Sequence, residues 1–131
     1  MPQKQFNPWR WQDPFGFSQA IEVPGARRLL FCAGQTALSA AGQVIAPGDM
    51  RGQMQAAMDN LETVLAAAGM SLANVVRLNY YTTDIAGYRA HNEVIKSRLL
   101  AAGCQPSSTL LGIAQLAYPE LLIEIEATAA E

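Results

Sequence analysis

Leu121-Leu122-Ile123-Glu124-Ile125-Glu126-Ala127-Thr128 alternates apolar and polar side chains with period two, the pattern of a β-strand whose two faces differ chemically. Glu124 and Glu126 project to one side, Ile123 and Ile125 to the other. A strand this apolar lies well inside a sheet, where a carboxylate is costly unless it is solvated, paired or used. The rest of the chain reads as the scaffold that places Glu124 in a pocket.

The chain has 131 residues, enough for one domain, 1–131, with a sizeable core. Charged residues make up 15%, below the usual level of about a quarter; so little surface marked for water points to self-association. A net charge of −2 and a pI near 5.3 give no basic footprint for a phosphate backbone, so no nucleic-acid partner is expected. Cys32 and Cys104 are isolated and the chain has one histidine, His91, so no metal site is expected. The segment Met1-Pro2-Gln3-Lys4-Gln5-Phe6 is polar and does not resemble a signal peptide. No apolar run approaches the roughly 18 residues that span a membrane. The expectation is a soluble, cytoplasmic protein with no membrane partner.

Residues 1–18, with Asn7-Pro8-Trp9-Arg10-Trp11-Gln12-Asp13-Pro14-Phe15-Gly16-Phe17, show no period and read as a structured N-terminal loop. Residues 19–23 and 28–33 read as two strands joined in a hairpin by Pro24-Gly25-Ala26-Arg27. A loop over 39–49 leads to Asp49, an N-cap, and then to apolar residues at Met50, Met54, Ala57, Met58, Leu61, Val64, Leu65 and Ala68, the steps of one helical face. Gly69 stops that helix. Residues 75–83 form a strand. A second helix opens at Asp84, carries Tyr88, Asn92, Ile95, Leu99 and Ala102 on one face and ends at Gly103. Residues 109–116 form the next strand, and Tyr118-Pro119 turns the chain back into the Glu124 strand.

The element string β-β-α-β-α-β-β predicts an α+β, two-layer sandwich: a mixed sheet with two helices on one face, each helix a right-handed crossover between neighbouring parallel strands. Doublets such as Val75-Val76, Leu110-Leu111 and Leu121-Leu122 put apolar residues on both strand faces. The bare face is then a large apolar patch, expected to close a homo-oligomer with pockets at the subunit seams.

Several pieces, taken in order, resemble the Rid family (YjgF/YER057c/UK114). They are Ala33-Gly34-Gln35, the helix from Met58-Asp59-Asn60-Leu61 to Ala67-Ala68-Gly69, Val75-Val76-Arg77, Asn92, Pro106 and Ile123-Glu124-Ile125-Glu126-Ala127. The resemblance runs from about Phe17 to Thr128. It implies a Rid, chorismate-mutase-like fold and a homotrimeric barrel assembly with a small-molecule ligand in the intersubunit clefts. It further implies hydrolysis of enamines and imines such as 2-aminoacrylate, without metal or organic cofactor. On that basis Glu124 holds or activates the attacking water, Gly34 gives backbone contacts and Asn92 lies near the cleft. The family's deaminases carry an arginine two residues after the proline matching Pro106; here that position is Ser108, which cannot supply a bidentate, charge-assisted contact. Their usual tyrosine is Phe17 and their usual serine is Ala33, so two hydroxyls are missing as well. Together these mark a divergent subgroup.

The candidate site is therefore Glu124 as the catalytic group, with Phe17, Ala33, Gly34, Asn92, Ser108, Thr109 and Arg10 around the substrate. Each has a plainer reading. Glu124 is otherwise a solvated strand residue or a partner of Arg77; Ser108 and Thr109 are a strand-entry turn; Trp9 and Trp11 brace the loop and hold Arg10 by a cation–π contact; His91 is a helix-surface residue without a nucleophile partner. The functional expectation is a Rid-like hydrolase on a reactive enamine or imine, poor on 2-aminoacrylate-type acids. The alternative is a non-catalytic ligand-binding or chaperone-like trimer. The endoribonuclease activity ascribed to some family members is disfavoured by the acidic pI and the lone histidine.

Overall fold

Helix α1, Met50–Ala67, begins where Asp49 accepts a hydrogen bond from the Gly52 N–H, satisfying one of the donors a helix start leaves free. Its 18 residues give a rod about 27 Å long. Met50, Met54, Ala57, Met58, Leu61 and Leu65 form the buried stripe, as the periodicity predicts. Gly69 (φ +72°) lets the chain turn away. The computed structural model describes residues 3–131; residues 1 and 2 of the expected N-terminal loop lie outside the described residues.

The main sheet has the order β3-β6-β4-β5, with β3 Leu29–Phe31, β4 Val75–Thr82, β5 Ser107–Gly112 and β6 Ile123–Ala130. Strands β4 and β5 run parallel; β6 is antiparallel to β3 and to β4. Helices α2, Ile85–His91, and α3, Glu93–Ala101, join β4 to β5, the expected crossover between parallel neighbours. The crossover through α1 differs, because β6 inserts between β3 and β4. Helix α1 packs on β6 and against α2 and α3, so the helices make one layer and the sheet the other. The core lies between them, with Leu78, Ile123, Ile125, Ala127 and Ala129 facing Met54, Met58, Leu61, Ile95 and Leu99. Among the described residues, no helix is long and apolar enough to cross a membrane.

Four sequence expectations are corrected. The Pro24–Arg27 hairpin does not form: β2, Ala20–Glu22, pairs with β1, Lys4–Phe6, inside the segment read as a loop. The N–H groups of Arg27 and Arg28 instead donate to the Glu131 carbonyl, which docks the chain after the turn on the end of β6. The second helix is two helices, interrupted at Asn92, where His91 and Asn92 combine low helix propensity; Ile95 and Leu99 still fill the core. The terminal strands are shifted, 107–112 and 123–130 rather than 109–116 and 121–128.

The bare sheet face is the fourth correction. It is polar along its centre, with Arg77, Asn79 and Tyr81 on β4 opposite Thr128, Glu126 and Glu124 on β6. Of the apolar doublets only Leu110-Leu111 puts one member on each face. A β-bulge between Val75 and Arg77 takes up Val76, and Leu121 is buried before its strand begins. On the main sheet, among the described residues, large exposed apolar side chains remain at the edge strands: Leu29 and Phe31 (75% exposed) on β3 and Leu111 on β5.

The approach to β6 is secured by Gln53, a polar side chain with 0% exposure. Its amide donates to the carbonyls of Glu120 (2.8 Å) and Ala46 (3.2 Å), and its carbonyl accepts from the Leu122 N–H (2.7 Å). One buried side chain thereby satisfies three backbone groups that neither helix nor sheet pairs.

Candidate functional site

Strand alternation places Glu124 and Glu126 on the same face, but their surroundings differ. The Glu126 carboxylate accepts hydrogen bonds from the Asn79 amide and the Tyr81 hydroxyl, both at 3.0 Å. These bonds, Asn79's first, hold the Glu126 carboxyl below its ordinary value. The same contact raises the Tyr81 phenol, because its proton is shared with the carboxylate and a phenolate there would face that negative charge. Arg77, the candidate ionic partner of Glu124, instead donates to the Thr109 hydroxyl at 2.6 Å. The carboxylate of Glu124 is left half-buried, with no donor among the described residues.

Gly34 packs directly on that carboxylate. The Gln35 N–H donates to the Ile125 carbonyl at 2.7 Å, and the Ile125 N–H to the Gln35 carbonyl at 2.9 Å, so the backbone just after β3 is clamped to β6. A Cβ at position 34 would lie 2.6 Å from Glu124 Cδ and 2.9 Å from Cγ, so any side chain there displaces the acid. Ala33 beside it is exposed.

A separate group forms at the other edge of the sheet. Ser108 pairs in register with the buried Leu78 and so faces the helices. With Phe17, Asn92, Tyr80, Tyr88 and Leu110 it lines a cavity of about 820 Å³ between the N-terminal segment, α2, α3 and β5. Ser18 anchors the segment, donating its hydroxyl to the Gln105 carbonyl (2.7 Å) and its N–H to the Pro106 carbonyl (3.0 Å). Lys96 donates to the Pro14 carbonyl at 2.9 Å, holding the 3-10 turn Asp13–Phe15 over the opening. Burial pushes the Tyr88 phenol up to about 12 and the Tyr80 phenol well above its ordinary value, so both rings stay neutral.

The structure thus divides the expected site. Glu124 and Gly34 meet on the outer sheet face, whereas Phe17, Asn92 and Ser108 meet in the cavity. Thr109 points to the outer face, held by Arg77. Arg10 enters neither: it pairs with Asp13 at 2.9 Å with its side chain 90% exposed, so the expected cation–π bracing by Trp9 and Trp11 is absent. Trp11 packs edge-on against Phe17, ring centroids 6.0 Å apart, and remains 60% exposed. Residues the sequence reading passed over are Tyr80, Tyr88, Arg89 and Lys96, all lining the cavity. The helical spacing of Arg89 and Lys96 from Asn92, at minus three and plus four, was the available signal.

Residues 12–131 match the profile of the family described as endoribonuclease L-PSP. The chain is 36% identical over 115 residues, 88% of its length and 87% of the relative's, to protein mmf2, mitochondrial, of Schizosaccharomyces pombe. It is 29% identical over 115 residues, 88% of this chain and 81% of the other, to the 2-iminobutanoate/2-iminopropanoate deaminase of Mus musculus. Among solved structures, a protein of unknown function from Yersinia pestis, YyfB of the conserved Rid protein family, superposes with a TM-score of 0.88 at 36% identity, covering 100% of both chains.

Proposed function

The chain belongs to the endoribonuclease L-PSP (Rid) family, and from that premise we propose that it is a Rid-like hydrolase acting on a small reactive enamine, imine or related metabolite. Some relatives carry the name 2-iminobutanoate/2-iminopropanoate deaminase, which supports C=N hydrolysis as the reaction class. The observation that carries the proposal is the contrast within one strand: Glu126 is held by two hydrogen bonds, while Glu124, one step away on the same face, keeps its carboxylate free beside Gly34.

In the proposed reaction water adds through oxygen to the imine carbon, and Glu124 takes the proton that the water gives up. That proton passes to the nitrogen to give a carbinolamine; transfer of its hydroxyl proton to the amine then accompanies C–N cleavage, and the products are a carbonyl compound and ammonia. Balance requires one water per imine and no redox partner. Because Glu124 and the Ser108 cavity belong to different faces of one chain, the proposed assembly is a homotrimer in which Glu124 of one copy meets the cavity of the next. The proposal includes membership of a divergent subgroup with weak turnover of 2-aminoacrylate-type acids, a reading that Ser108 in place of the family's arginine supports.

The cavity forms without Glu124, which favours ligand binding without catalysis as the second reading. The test is Glu124→Gln, assayed for ammonia release from imines generated in situ by an amino-acid oxidase. A hydrolase loses turnover by about 10²-fold or more and keeps its ligand affinity. Equal rates with and without the carboxylate would leave only the binding reading.

A further inference from the structure

We infer that the cavity selects an acid with an aromatic side chain, its ring among the aromatic residues of the cavity and its carboxylate at Arg89. This deepens the hydrolase reading above and rests on it for the reaction, though not for the binding. Three observations carry it.

The first is size and lining. About 820 Å³ lies in the range of pockets that enclose ligands of drug-like size, far more than a three- or four-carbon acid fills. Trp11, Phe15, Phe17, Tyr80 and Tyr88 contribute aromatic walls. Tyr80 and Tyr88 lie tilted at 50° with centroids 5.6 Å apart, and Trp11 meets Phe17 edge-on. The two pairs offer a ring both a face and an edge.

The second is charge. The cavity lining includes Arg89 and Lys96 and no acidic residue, so an anion is favoured over a neutral or cationic ligand. Lys96 already holds the Pro14 carbonyl. Arg89 has no ion-pair or hydrogen-bond partner among the described side chains and presents a planar fork suited to a carboxylate. The cation that Ser108 cannot provide is thus supplied from α2.

The third is the covering segment. The 3-10 turn is tied to α3 through Lys96, and Ser18 is tied to the backbone just before β5. Trp11 and Phe15 are therefore fixed over the opening rather than on a free tail, yet both stay more than half exposed, as residues awaiting a ligand ring are.

The experiment uses the full chain. Tryptophan fluorescence is titrated with phenylpyruvate and with pyruvate for the wild type, Arg89→Met and Trp11→Leu; imines made in situ from L-phenylalanine and from L-alanine are compared as substrates. Phenylpyruvate is expected to bind about 10- to 100-fold tighter than pyruvate, the effect of burying one ring. Arg89→Met is expected to weaken it about 10-fold, and Trp11→Leu to weaken phenylpyruvate without changing pyruvate. Arg89 is exposed, so its variant tests binding without unfolding the chain. If phenylpyruvate binds no tighter than pyruvate and the alanine-derived imine is hydrolysed at least as fast, this inference is overturned while the hydrolase reading stands. If phenylpyruvate binds tightly through Arg89 and neither imine is hydrolysed, the ligand class stands and the hydrolase reading falls.

Discussion

Gly34→Ala separates the position of the acid from the stability of the fold. An added Cβ would sit 2.6 Å from Glu124 Cδ and 2.9 Å from Cγ, where packed carbon atoms prefer about 3.5–4.0 Å. The obstructing atoms are the far end of a flexible side chain, so the carboxylate swings aside by about 1 Å and the backbone stays in place. A misplacement of about 1 Å costs on the order of 10²-fold in rate. Gly34 does not sit at positive φ, so alanine fits its backbone and gains about 0.4–1 kcal/mol from a less flexible unfolded chain. Moving Glu124 to a poorer rotamer costs about 0.5–1.5 kcal/mol. The two nearly cancel, and the melting temperature should move by less than about 5 °C. The assay is ammonia release beside thermal unfolding, repeated in the Glu124→Gln background. There Gly34→Ala should cost nothing further in rate, because the group it displaces is already disabled. Full turnover in Gly34→Ala, or an equal loss in both backgrounds, would refute the reasoning.

Gln53→Leu should lower stability by about 2–4 kcal/mol, because it strands the Leu122 N–H and the Glu120 carbonyl without partners, while the Ala46 carbonyl keeps the Asp49 N–H; urea unfolding measures this, and a change below 1 kcal/mol would contradict it. Glu126→Gln should reduce stability at neutral pH by an amount that vanishes in acid. The folded carboxyl is held below its ordinary value, so its contribution is present above about pH 4.3 and is lost as pH falls through the lowered value; a gap independent of pH would exclude this. Burial raises the Cys104 thiol to about 11, so it should resist a thiol-specific disulfide reagent at pH 8 until the chain is unfolded. Mixing Glu124→Gln with a Phe17→Arg variant, each inactive alone, should restore about a quarter of the wild-type sites after subunits exchange at random in a symmetric ring; no recovery would mean the two groups do not share a site.

Periodicity carried most of the fold. The three- and four-residue spacing from Met50 to Leu65 fixes α1, and the alternation around Glu124 fixes both the strand and the face of its carboxylate. Periodicity says nothing of strand order, which is why the insertion of β6 beside β3 was not legible: it depends on the Glu131 carbonyl capturing Arg27 and Arg28, a contact more than 100 residues apart. Gln53 was equally hidden, since a glutamine in an amphipathic helix looks like a surface residue until its backbone partners are known. Two of the three apolar doublets misled because a bulge at Val76 and the late start of β6 decide which face each member takes. Of the site, the free acid and its glycine neighbour were readable from the strand and the family pattern. The aromatic cavity was not, because Trp11, Tyr80 and the Tyr88–Arg89 pair come from three separate segments.

The sheet order explains why a single copy cannot be the working unit of the proposed reaction. Glu124 lies on β6 and Ser108 on β5, with β4 between them. Two strand spacings are about 10 Å, and the two side chains also face opposite sides of the sheet, since Glu124 alternates with buried Ile123 and Ile125 while Ser108 pairs with buried Leu78. No motion short of unfolding brings one to the other within a chain. The edges supply the means of joining copies: on the outer face β3 carries exposed Leu29 and Phe31, opposite Ala130 and Thr128, and β5 carries exposed Leu111, in line with Tyr81 and Glu124. In the proposed assembly, the apolar β3 edge is set against the β5 side of a second copy, which would hide those side chains and bring the acid to the neighbour's cavity. A heterologous contact of this kind repeats until a ring closes, which is the form the proposed trimer takes.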